Sequence, residues 1–222
     1  ENIDAATKAQ KHFSSANKPI EELYDCDADP NNVRNLISTN LSKETSEILS
    51  TLRKELIDYR ESVGDLGALP ESEMRRWVKT EGSPMRDIVI GNTDHAPNLK
   101  RAWEAADRVG SKNSKQLLKL LKNGNVNERY WAAISLRNGF FDDVNMHQNV
   151  SEWMNDDAPS VRIEIASWLA CFPDQRGVAL DRLVEDLGHS DWAVALQACR
   201  AIELLGPKAK RVLEPMKRIY AK

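Results

Sequence analysis

Arg129-Tyr130-Trp131-Ala132-Ala133 and Val161-Arg162-Ile163-Glu164-Ile165-Ala166 occupy the same place in a pattern that returns every 33 residues. Ala133, Ala166 and Cys199 form a small-residue series at that step, and Leu136, Leu169 and Ile202 form an apolar one. The stretch before each of these keeps the same period. Leu117, Val150 and Leu183 make one row, and Leu121, Met154 and Leu187 make another. A fixed period of this length, with two apolar rows in one half and a small-residue and an apolar row in the other, marks a helical hairpin repeated in tandem. One hairpin cannot cover its own apolar face, so neighbouring pairs must stack, and the small residues at 133, 166 and 199 allow the close approach.

Working outward, Gly124-Asn125, Ala158-Pro159 and Gly188 to Ser190 break the helices within each unit. Three full repeats are expected, at about 114–138, 144–171 and 177–206. A lone helix at Asn98 to Gly110 precedes them, and a cap at Pro207 to Tyr220 follows. Arg129 to Ala133 and Val161 to Ala166 resemble the second helix of HEAT-like repeats in their short, lyase-type form. The third copy, Val194-Ala-Leu-Gln-Ala-Cys199, has Ala195 where Arg162 stands, which breaks an arginine ladder. The resemblance implies an all-α fold, a right-handed α-α superhelix. A short extended segment and a long helix are expected to precede it.

That helix is legible in Ile48, Leu52, Leu56, Tyr59 and Val63, which step by four, four, three and four and mark one face from about Ser42. Gly64 ends it, and Pro70 opens a short helix at Glu71 to Lys79 as proline does at a first helical position. Gly82, Pro84, Gly91 and Pro97 then punctuate an irregular connection containing Asp94-His95. The expected organisation is therefore 1–63 (short strand, acidic turn, long helix), a linker with a short helix at 64–97, and the repeats at 98–222.

Glu21 to Leu36, EELYDCDADPNNVRNL, reads as a short extended segment ending in a tight acidic turn. Asp and Asn side chains bond nearby amides, and Pro30 fixes its own φ. The succession E-E-L-Y-D, D-P and N-L, followed by G-D-L-G-A-L-P-E at Gly64 to Glu71, resembles the tail of the type I (formylglycine) sulfatases. The resemblance runs over roughly Pro19 to Pro70, and the sulfamidase and heparan-sulfatase branch is the nearest in kind. Similar bacterial sulfatases carry a HEAT-like extension with an R-Y-W-A-A run like Arg129 to Ala133. The family's nucleophile arises from a C-x-P-S-R type motif and sits beside calcium. Formylglycine and calcium are thus expected in a missing catalytic domain, and a periplasmic or secreted location follows from the same resemblance.

Composition bounds the rest. The 222 residues are 41% hydrophobic and 29% charged, with a net charge of -3. The acidic balance gives a polyanion no general attraction, which argues against nucleic acid and against a HEAT-like DNA glycosylase. No apolar run approaches the roughly 18 residues of a membrane span. Glu1 in place of an initiating methionine suggests a processed or truncated chain. Cys26, Cys171 and Cys199 are too scattered for a disulfide framework, and the sequons at Asn40 and Asn149 carry little weight.

The chain offers few chemical candidates. Cys171-Phe-Pro-Asp-Gln-Arg176 comes closest to the sulfatase motif, but Asp174 and Gln175 replace its serine and arginine, so a helix end is the better reading. Asp25, Asp27 and Asp29 could hold a hard cation but fit a capped turn better, and Asp142-Asp143 and Asp156-Asp157 fit helix caps. His12, His95, His147 and His189 share no ligand spacing. The recognition candidates are Arg129 and Arg162, which could meet a glycan sulfate but more often tie repeats through carboxylates, together with Trp192 at a turn and His95 in its loop. No catalytic, cofactor or metal residue is expected. The first function class is a non-catalytic C-terminal part of a sulfatase that packs on its own catalytic domain or binds a protein or sulfated glycan. The alternative is a stand-alone HEAT-like adaptor for another protein.

Overall fold

The computed structural model describes residues 7–14, 18–38, 40–91 and 95–220. Among these the secondary structure is helical, with no strand, and the chain divides into two compact units, Glu1–Val63 and Gly64–Lys222. Asp94 lies outside the described residues, as does the side chain of His12.

In the first unit, α1 (Lys8–Phe13) opens on a capping box between Thr7 and Gln10. The strand expected near Leu23 and Tyr24 does not form. Its backbone bonds to residues 35 and 36 instead: Asn35 Oδ1 accepts from the Leu23 amide at 3.0 Å, Asn35 Nδ2 donates to the Glu21 carbonyl at 3.3 Å, and the Leu36 amide donates to the Leu23 carbonyl at 2.8 Å. The acidic turn is self-capped. Asp25 Oδ1 accepts from the Asp27 and Ala28 amides, and Asp29 Oδ2 accepts from the Arg34 amide at 2.6 Å. Ser42 then caps α2 (Lys43–Val63) through the Thr45 amide. The stripe Ile48, Leu52, Leu56, Tyr59 and Val63 is half-exposed or more along its whole length, and Leu49 is the buried residue of this helix. An amphipathic helix whose apolar face meets water lacks the partner that such a face requires.

The second unit contains α3 (Glu71–Glu81), α4 (Met85–Gly91), α5 (Ala96–Ala106), α6 (Ser114–Asn123), α7 (Val126–Gly139), α8 (Val144–Val150), α9 (Pro159–Leu169), α10 (Arg176–Leu187), α11 (Trp192–Leu205) and α12 (Leu213–Tyr220). A 3-10 turn, Ser151–Asn155, continues α8, and another, Gly206–Val212, precedes α12. α5, α7, α9 and α11 pack each on the next, while α6 packs on α7, the turn after α8 on α9, and α10 on α11. The rows read from the 33-residue step meet in one core: Leu117, Val150 and Leu183, Leu121, Met154 and Leu187, and Leu136, Leu169 and Ile202 are all buried there. Cys199, in the small-residue row, is partly buried against it.

Residues 64–91 and 95–97 are folded into this unit. Ala68, Leu69, Trp77 and Ile88 build a second core with Leu99, Ala102 and Ala106, and α4 occupies the stretch expected to be irregular. Pro70 is the N-cap of α3, with ψ at 142°, one position before the first helical residue. The segment crosses the α5–α7–α9–α11 row in order. Trp103 Nε1 on α5 donates to the Asp65 carbonyl at 3.0 Å, Trp131 Nε1 on α7 donates to the Ala68 carbonyl at 2.7 Å, and Arg75 reaches Asp191 at the start of α11 at 2.8 Å. α3 also packs on α9 and α11. Two glycines lie at close approaches. A Cβ on Gly67 would stand 3.2 Å from Cζ2 of Trp103, and Gly64, at φ +62°, would place one 2.3 Å from Val89 Cγ1.

Carboxylates clasp the helix starts. Arg129 on α7 binds Asp156 through two parallel hydrogen bonds of 2.9 and 2.8 Å, a pair whose side chains are 16% and 6% exposed. Asp156 Oδ1 also accepts from the Ala158 amide, the residue that caps α9. Removing one partner of a buried, bidentate pair leaves the other charge stranded. Asp156→Ala is therefore expected to lower stability by about 3 kcal/mol, read from urea unfolding. Asp157→Ala, which removes a carboxylate 90% exposed, should cost less than about 1 kcal/mol.

Candidate functional site

Both candidate arginines reach the 156–157 turn, and most of their hydrogen-bonding capacity is already committed. Arg129 spends Nε and Nη2 on Asp156, Nη2 again on Asp157, and Nη1 on the Gly124 carbonyl. The hydrogen bond to Asp156, opposed by burial, holds the Arg129 pKa above its usual value. Asp157 is held below the usual carboxylate range, first by its hydrogen bond with Asp156. Arg162 spends Nε and Nη2 on the buried Asp186, and Nη1 on the Asp156 and Asp157 carbonyls. These are ties between elements. An incoming sulfate would have to displace carboxylates already in place.

Trp192 and His95 both lean on α3, against different partners. Trp192 is 51% exposed, and the Arg75 guanidinium lies over its ring at 4.7 Å. Burial raises the pKa of the neighbouring Asp191, but the Ala193 amide and Arg75 outweigh it, so the net shift is downward. His95 stacks on the buried Trp77, with ring centroids 4.2 Å apart, and Nε2 lies 3.4 Å from Glu81. His147 is buried, with Nε2 2.6 Å from the Phe141 carbonyl. Cys171 closes α9, its thiol against the Ser167 carbonyl, while Arg176 donates to the Ala170 and Cys171 carbonyls. Among the described residues no group of three His, Cys, Asp or Glu side chains could hold a metal ion.

The concavity that does gather chemistry lies between the start of α3 and the solvent side of α11, with a volume of about 280 Å³. Its lining includes Tyr130 and Arg137 from α7, Glu164 from α9, Gln197 from α11 and Ser72 from α3. Glu164 accepts from Arg137 Nη1 at 3.2 Å and from Gln197 Nε2 at 3.2 Å, so one polar line joins three helices of the row. Leu196 and Leu204, 57% and 66% exposed, form an apolar wall. α11 is apolar on both sides, with Ala198, Ile202 and Leu205 in the core. Burial, and then the Glu164 charge, push the Tyr130 phenol well above its usual pKa, against a smaller opposing effect of Arg137.

The four nominated residues do not line this groove. Its sequence trace is the row Trp131, Glu164 and Gln197, which follows the 33-residue step and places two polar residues where a core row would be apolar.

A comparison with curated proteins finds 44% identity over 70 residues to an ulvan-active sulfatase from Formosa agariphila. The matched stretch is 31% of this chain and 11% of that enzyme, so the chain spans a small part of the relative's length. The likeness marks a sulfatase-related region. No protein family matches the chain by its sequence profile, and no solved structure matches it.

The Tyr130 phenol gives a titration test. The unfolded chain ionises near pH ~10, while the partly buried phenol keeps its proton to higher pH, so above that point the native state binds more protons and stability falls as pH rises. Tyr130→Phe removes this contribution. The variant's stability is expected to decline less steeply than the parent's above pH ~10 in urea unfolding series. Equal slopes would place the phenol in water.

Proposed function

We propose that this chain is a non-catalytic C-terminal portion of a sulfatase, whose upstream catalytic domain hydrolyses sulfate esters or sulfamates of glycans outside the cytoplasm. The observation that carries the reading is the 44% identity over 70 residues to the ulvan-active sulfatase. The E-E-L-Y-D succession at Glu21 to Asp25 and the G-D-L-G-A-L-P-E run support it. In this reading calcium and the formylglycine nucleophile belong to the upstream domain, and Cys171 is a helix end.

The two units divide the work. The first, to Val63, supplies the family's tail. The exposed stripe of α2 packs against the catalytic domain, and residues 21–25 pair with a sheet that the domain contributes. The second is a HEAT-like extension, in which α5, α7, α9 and α11 form one layer of a right-handed superhelix and α6, α8 and α10 the other. It acts as a structural or recognition module.

The test is the coding sequence upstream of Glu1. An open frame continuous with this chain and carrying a C-x-P-S-R type motif is expected. A translation start close to Glu1 would point to an autonomous adaptor and end the sulfatase reading. The purified chain should show no turnover of aryl sulfates or sulfated oligosaccharides, and measurable release of sulfate would contradict the assignment. Leu56→Glu on the exposed α2 stripe should change the stability of this chain by less than about 0.5 kcal/mol while lowering that of the complete enzyme.

A further inference from the structure

The groove between α3 and α11 holds hydrogen-bonding capacity that the nominated arginines have already spent. Tyr130 lines it, and its hydroxyl has no hydrogen-bond partner among the described residues. Arg137 is engaged through Nη1 and Gln197 through Nε2, leaving the other guanidinium nitrogens and the amide oxygen for a ligand. The lining charges balance, with Arg137 and Arg200 against Glu71 and Glu164. Beside this polar floor stand the exposed Leu196 and Leu204.

We infer that this groove binds one neutral, hydroxyl-bearing sugar ring of a glycan chain. An anionic group as the main contact would face Glu71 and Glu164 as much as the two arginines. A wholly apolar ligand would leave the Tyr130 hydroxyl and the Gln197 carbonyl unpaired, at a cost of about 1–3 kcal/mol each. A pyranose satisfies both demands. Its C–H face lies on Leu196 and Leu204, and its hydroxyls, which donate and accept, meet Tyr130, Gln197 and Arg137. The volume of about 280 Å³ sits at the lower end of ligand sites. A partner helix, about 10 Å across, does not fit so small a recess. The choice of polymer rests on the sulfatase reading; the site and its chemistry do not.

The experiment is calorimetric titration of the full chain with ulvan oligosaccharides, native and desulfated, supported by NMR shifts of the Gln197 side-chain amide. Native and desulfated forms are expected to bind with similar affinity and to move the Gln197 signal. Leu196→Asp, at a 57% exposed position where folding is insensitive, and Tyr130→Phe, which deletes only the hydroxyl, should each weaken binding about tenfold or more, near 1.4 kcal/mol. Asp157→Ala, away from the groove, should leave it unchanged. Absence of binding by both forms overturns the inference. So does binding that both groove variants retain, binding confined to the sulfated form and abolished by salt, or occupation of the groove by a protein with no response to sugar. A sulfatase frame upstream with no groove binding would overturn this inference alone. Groove binding without such a frame would overturn the sulfatase reading alone.

Discussion

Two indole N–H groups decide where the connection between the chain's parts lies. Trp103 and Trp131 donate to the Asp65 and Ala68 carbonyls, and a buried indole nitrogen without an acceptor would carry the desolvation penalty of an unmade hydrogen bond. Once those carbonyls are held, the backbone runs beside the Trp103 ring, and a Cβ at position 67 would stand 3.2 Å from it. α3 then starts at Pro70 and lies along α9 and α11. That placement buries Trp77, Ser72 and Glu73 and creates the recess that α11 walls on its other side. The candidate site thus follows from a hydrogen-bonding requirement two helices away.

A second constraint separates charge that supports the fold from charge left for a ligand. Arg129 and Arg162 begin consecutive helices of the row and are buried enough that each needs a carboxylate. Asp156 and Asp186 provide these with bidentate or near-bidentate geometry. Such pairs hold register and direction and commit most of each guanidinium's donors. Further along the same helices, Arg137 and Glu164 are only partly buried and partly engaged. Residues of the same type therefore do different work according to how much of their bonding is already satisfied.

The core rows were legible because burial at fixed steps leaves a periodic trace: Leu136, Leu169 and Ile202 could be placed in a core from spacing alone, and the structure puts them there. Helix limits were close for the same reason, with Asn125, Asp143 and Asp191 capping α7, α8 and α11. What spacing could not show was tertiary in origin. α3 reads as polar, yet Ser72 and Glu73 are buried by helices more than eighty residues onward. The connection at 82–97 looked irregular because proline and glycine bound it, but Ile88 has a core to join and α4 forms. The strand at Leu23 reads as one that closes a sheet supplied from upstream, and without that neighbour the Leu23 amide bonds to Asn35 instead. The arginines read as ties between repeats, but the carboxylates they bind could not be named, because these stand 27 and 24 residues away in sequence.

The central structural claim is that residues 64–81 are part of the helical unit and not a tether leading to it. Native-state hydrogen exchange on the full chain tests it directly, by comparing amides of residues 66–77 with those of α7 and α9. Protection in the same slow class, lost together as denaturant rises, is the predicted result. Fast exchange across 66–77 while α7 and α9 stay protected would contradict it, and with it the recess that α3 and α11 enclose.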